Sequence, residues 1–127
     1  MGRVTFYEPV IDRYLNQPGG EVGRYLSKRG RRIVAAAKAQ VGIRTGWLRA
    51  SIHMRHMRDK RGQYLKIGSS VRYARMHHEG TRPHLILPKK RQVLRFMSKG
   101  QIINTHLVRH PGTKPNRFLS DNLKLID

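Results

Sequence analysis

Hydrophobic and polar positions follow two different periods along this chain, and the change from one to the other organises it. From Glu21 to about Val41, the residues Val22, Tyr25, Leu26, Ile33, Ala36 and Ala37 recur on one stripe at helical spacing. Arg24, Lys28, Arg31 and Lys38 fall on the opposite side. This predicts one long amphipathic helix. Glu21 suits the positive end of its dipole, Gly42 is placed to cap its end, and Gly30 weakens it slightly. After "GIRTGWLRAS" the period shortens to two. Ile52, Met54 and His56 alternate with His53, Arg55 and Met57, "DKRGQ" makes a turn, and Leu65 and Ile67 mark a returning strand. Further on, "VRYARMHHEG" reads as a short helix stopped at Gly80, and Pro83 and Pro88 bracket a brief strand, "HLIL". "QVLRFMS" and "IINTHLV" flank Ser98-Lys99-Gly100-Gln101 as a second hairpin, and a short helix from about Asn116 follows a proline-rich loop.

The fold class predicted is α+β: an antiparallel β-sheet packed against one long amphipathic helix, with short additional helices. Residues 1–20 read as an N-terminal arm, ended by Asn16-Gln17-Pro18-Gly19-Gly20, whose apolar residues suit docking on the domain or on a neighbouring subunit. Residues 21–127 read as a single domain.

Charge changes the picture more than length does. Twenty-seven Lys and Arg face seven Asp and Glu, a formal charge of +20. Residues 22–58 hold ten basic side chains and no acid, and residues 80–120 hold nine more, again with no acid. Such a chain repels itself unless an anion is nearby, so nucleic acid or acidic protein is the expected neighbour. Arg24, Lys28, Arg31 and Lys38 on the helix, with Lys89, Lys90 and Arg91 further on, are the candidate contacts for a partner or DNA. Aromatic residues are only 7% of the chain, thin for a base-stacking platform. The chain has no cysteine, which excludes disulfides, thiol chemistry and Cys-based zinc sites. It shows neither an apolar run long enough to cross a membrane nor the apolar core of a signal peptide. A protein that folds in a cytoplasm is expected.

The stretch "VRYARMHHEGTRPH" carries the densest chemistry. His77, His78, Glu79 and His84 are close in sequence, and His106 and His110 lie four apart. Zinc would accept imidazole and carboxylate ligands. However, neighbouring His77 and His78 point different ways on a helix, and the HExxH spacing is absent. No two of the seven acids form an obvious catalytic pair, and Glu79 is placed to offset Arg72, Arg75 or Arg82. No catalytic residue, metal ligand or cofactor is predicted.

Three separated motifs then line up: "RTGWLRASI", "VRYARMHHEGTRPH" and "HPGTKPNRFLSDNL". Together they resemble the small neck, or tail-completion, proteins of long-tailed bacteriophages. The matching positions are Thr45, Gly46, Leu48, Ser51 and Ile52; then Tyr73, Ala74, Gly80 and Thr81; then Pro111, Gly112, Thr113, Pro115, Phe118 and Leu119. Two departures stand out. Arg117 replaces a proline common before the phenylalanine, and residues 85–108 look like an extra hairpin. The resemblance implies a structural role at the head–tail junction, without enzymatic activity. It implies a ring, sixfold in the expectation, between the head connector or stopper and the tail tube or terminator. The location implied is the virion, after assembly in a host cytoplasm. Thr45 and Thr81 would serve as capping or turn residues, and the histidines as surface or interface groups. Channels through which phage DNA slides often avoid strong positive charge, so much of the excess is expected to meet acidic protein, with non-specific contact with genomic DNA as the other use. A small basic nucleic-acid-binding protein and a His-metal nuclease are the alternative readings.

Overall fold

A computed structural model describes residues 2–126 of the chain. The fold is α+β, with a long helix, short helices and small antiparallel sheets. The stretch read as one domain, 21–127, contributes to two compact units. The first contains residues up to Ala74 together with those from Arg117 onward, and the second contains Arg75–Asn116.

In the first unit, α1 (Glu8–Asn16) occupies the second half of the predicted arm, with Pro9 pre-setting its first turn. It lies against α2 (Glu21–Gln40) and against β2 (Gly62–Gly68). Arg58 pairs with Asp12 at 3.3 Å, and the Gln63 amide donates to the carbonyl of Leu15. Residues 2–7 precede the helix and are exposed.

Helix α2 ends at Gln40, with Val41 as its C-cap, and Gly42 does not take the left-handed conformation of a glycine cap. Val41 turns to an extended conformation, keeps its N–H on Ala37 O at 3.0 Å, and is 3% exposed. In that conformation Val41 joins the core beside Ala37. The buried stripe also differs from the predicted one. Tyr25 is largely exposed, whereas Gly23, Gly30, Ile33 and Ala37 are buried. A Cβ at Gly30 would stand 2.5 Å from Leu65 Cδ1 and 2.8 Å from Met54 Sδ, so its lack of a side chain lets the hairpin cross the helix closely. That hairpin pairs β1 (His53–Asp59) with β2 in the register His53↔Gly68 to Asp59↔Gly62. His56, on the strand face shared with Met54, meets Ser27 Oγ on α2 through Nε2 at 2.7 Å.

A short α3 (Trp47–Ser51), not separately resolved by the sequence pattern, places Leu48 inward. The core is Ala37, Val41, Leu48, Ile52 and Phe118, with Val34, Val71, Ala74 and Leu119 packed around it. The last helix is a 3-10 helix at Ser120–Ile126, starting later than the expected Asn116. It lies against α2, where Gln40 donates to Asp121 Oδ2 and accepts from Asn122, both at 2.9 Å.

The second unit begins within α4 (Ala74–Glu79) and contains two separate ribbons. β3 (His84–Ile86) pairs with β6 (Val108–His110), and β4 (Leu94–Ser98) pairs with β5 (Gln101–Thr105), both antiparallel. Lys99 and Gly100 have φ of 49° and 79°, the two positive values of a type I′ hairpin turn. The expected sheet is therefore three two-stranded ribbons. Every buried hydrophobic side chain among the described residues belongs to the first unit. The second unit is held mainly by backbone pairing and tight turns.

Candidate interaction surface

The three sequence motifs sort into two structural knots, one in each unit. In the first unit, Leu48 and Ile52 meet Phe118 in the core, with Ala74 and Leu119 against them. Ser51 Oγ donates to Leu48 O at 2.7 Å and hydrogen-bonds Ser69 Oγ, tying the end of α3 to the segment after β2. Gly46 has φ +82° and is itself the N-cap of α3, with no side-chain cap bond. The capping role expected of Thr45 is thus taken by a glycine turn. Thr45 and Tyr73 are exposed.

In the second unit, Thr81 and Thr113 form an isolated bridge. Each backbone N–H donates to the other's carbonyl at 3.1 Å, and the hydroxyls stand 3.0 Å apart. Gly80 (φ +75°) and Gly112 (φ +86°) flank the bridge, and a Cβ at Gly112 would lie 2.3 Å from Thr81 O. Asn116 N donates to His77 O at 3.1 Å, closing the same loop onto α4. Pro111 and Pro115 are exposed at its edges. Thr81, expected to make capping or turn hydrogen bonds, makes a long-range bridge instead, with a partner 32 residues away.

The histidines divide along lines that their sequence spacing hid. His84, grouped in sequence with His77, His78 and Glu79, instead stacks on His110 across β3 and β6, with ring centroids 4.9 Å apart. His84 Nδ1 donates to Arg82 O at 2.9 Å, and His110 Nδ1 accepts from Gly112 N–H at 3.0 Å. His106 Nδ1 donates to Gln92 O. Glu79 pairs with Arg75 at 3.0 Å, one of the three partners expected for it. Among the described residues, no group of three or more His, Asp or Glu is placed to hold a metal ion.

The candidate cations lie on two surfaces, one per unit. On α2, Arg24, Lys28 and Arg31 are exposed and Lys38 is half-buried; Arg24 pairs with Glu21. In the second unit, Lys89, Lys90 and Arg91 sit on the loop between β3 and β4. With Arg95, Val93 and Asn104 they line a recess of about 750 Å³. Arg95 and Asn104 were not singled out from the sequence, because only the strand register makes them cross-strand partners.

Uncovered apolar side chains are the other feature of both units. In the first, Val4, Phe6 and Trp47 are each more than 70% exposed. A groove of about 450 Å³ also opens beside α2 and β2, lined in part by Leu26, Ile33, Tyr64, Ile67 and Leu123. In the second, Leu85, Leu87, Met97 and Ile102 are more than half exposed, with Phe96 and Ile103 somewhat less so. Comparison with family models, with curated proteins and with solved structures finds no match.

Proposed function

We propose that this chain is a structural subunit of the head–tail junction of a long-tailed bacteriophage. It would assemble as a ring that joins the head connector or stopper to the tail tube or terminator, and it would carry out no reaction. The observation that carries this reading is the imbalance between its core and its apolar surface. Among the described residues, six hydrophobic residues are buried, while large apolar side chains stay exposed on the arm, on α3 and on both ribbons of the second unit. These exposed apolar side chains support a reading in which partners cover the protein when it works. The three motifs support the same reading. Their residues close a core and clamp a loop, as a scaffold requires.

The test is electron microscopy of particles from an infection in which the gene is disabled. Filled heads and unattached tails are expected, with infectivity restored by the purified protein. Normally joined particles would overturn the reading. Where acidic partners meet the basic faces, raising salt from about 50 to about 200 mM is expected to weaken ring–partner association steeply. A flat salt response, read by sedimentation, would count against electrostatic docking.

The acid-free stretches 22–58 and 80–120 favour a second reading, contact with nucleic acid. The His-metal reading would need DNA cleavage that depends on added metal and is lost in His77→Ala or His84→Ala. The hydrogen bonds and ring stack made by His84, His106 and His110 support a turn-holding part for them in the structural reading.

A further inference from the structure

We propose that the second unit binds duplex DNA, with Lys89, Lys90 and Arg91 on the phosphate backbone and the β4–β5 ribbon in the adjoining major groove. The inference does not depend on the ring reading, and it assigns the face that meets DNA. Three observations lead to it.

The first is charge. Residues 80–116 contain eight Lys and Arg and no acid. Among the described residues, the ion pairs involve Arg24, Arg58 and Arg75, so none of these eight is internally neutralised in this way. The second is the recess, where Lys89, Lys90, Arg91 and Arg95 converge beside the Asn104 amide. Lysine supplies a mobile point charge and arginine a planar fork, and both suit phosphate oxygens.

The third is the ribbon. Each strand has five residues, or about 17 Å of extended chain. It pairs with no other strand, and its side chains are exposed on both faces. An isolated two-stranded ribbon is a shape that the major groove of B-DNA admits, at about 12 Å wide. One face presents the cross-strand pairs Arg95–Asn104 and Met97–Ile102. Arginine and asparagine hydrogen-bond guanine and adenine edges, and apolar side chains contact the thymine methyl. An acidic peptide would account for the charge but not for this ribbon face.

The experiment is fluorescence anisotropy of the full chain with a labelled duplex of about twenty base pairs, repeated from about 50 to about 200 mM salt. Four phosphate contacts predict a loss of affinity of about a hundredfold over that range. The variant K89A/K90A/R91A, checked for retained fold by circular dichroism, is expected to lower the logarithmic salt slope by about 3. Removing the same charge from exposed positions of the β1–β2 hairpin in the first unit, in K60A/R61A/K66A, is expected to change affinity less than about threefold if the site is local. Equal losses in the two variants would show diffuse attraction and overturn the site. Methyl green, which occupies the major groove, should displace the protein, and netropsin, which occupies the minor groove, should not; the reverse would overturn the ribbon placement. A K89A/K90A/R91A variant that loses binding to a poly-glutamate peptide but keeps its DNA affinity would overturn the proposal in favour of an acidic protein partner.

Discussion

Alanine at position 118 is expected to lower the stability of the first unit by about 3–5 kcal/mol. Phe118 is fully buried, and it is the largest side chain in a core otherwise made of Ala37, Val41, Leu48 and Ile52. Its removal takes away the transfer energy of an aromatic ring and leaves a cavity that small neighbours on α2 and α3 cannot fill. Total stabilities of small domains are only about 5–15 kcal/mol, so a core this size has little reserve. A fall in Tm of more than about 12 °C should accompany the change. Phe118→Leu keeps most of the volume and is expected to cost far less, under about 2 kcal/mol. Thermal or denaturant unfolding checks both variants. A Phe118→Ala protein within about 1 kcal/mol of the parent would mean that the core lies elsewhere.

Gly112→Ala acts on the other unit, by a different mechanism. A Cβ there would lie 2.3 Å from Thr81 O and 3.0 Å from the backbone of Arg82 and Pro83, at φ +86°. None of those atoms is a flexible side-chain tip that could swing aside. The left-handed conformation alone costs a non-glycine residue about 1–2 kcal/mol, and moving Thr81 also breaks its bridge to Thr113. A total of about 2–4 kcal/mol is expected. Since the second unit has no fully buried hydrophobic side chain, that loss should open its loop. The amides of Thr81 and Thr113 should lose hydrogen-exchange protection, and proteolysis should appear between residues 80 and 116. The unfolding transition of the first unit should stay in place. Retained protection at Thr81 and Thr113 would refute the clamp.

Local periodicity made some elements legible and could not reach others. Helix α2, the β1–β2 hairpin and the β4–β5 hairpin each carry enough consecutive positions to show a period, and the Lys99-Gly100 turn has its own backbone chemistry. The three-residue strands β3 and β6 carry no period; β3 was legible only through its flanking prolines, and its pairing with β6 joins segments more than 20 residues apart. Gly30 reads as a helix penalty when only the helix is considered, and its use appears only once the hairpin lies across it. Gly42 looked like the cap, whereas Val41 takes that position and is buried, a tertiary placement that local sequence does not show. The candidate surfaces were legible in the same uneven way. Lys89, Lys90 and Arg91 show as a run of charge, whereas Arg95 and Asn104 become neighbours only through strand register. Thr81 and Thr113 were both picked out by motif, but their pairing with each other was not.

The position of Phe118 in the chain also bears on biosynthesis. The core of the first unit draws on α2 and α3, made early, and on Phe118, made after the entire second unit. A ribosome therefore releases the second unit's segment while the first still lacks its central ring. Nascent chains stalled before residue 118 would hold Leu48 and Ile52 open to solvent and be targets for chaperones and proteases. Closure of the core waits until Phe118 has been made, and a chain truncated inside the second unit is marked as defective by the same missing ring.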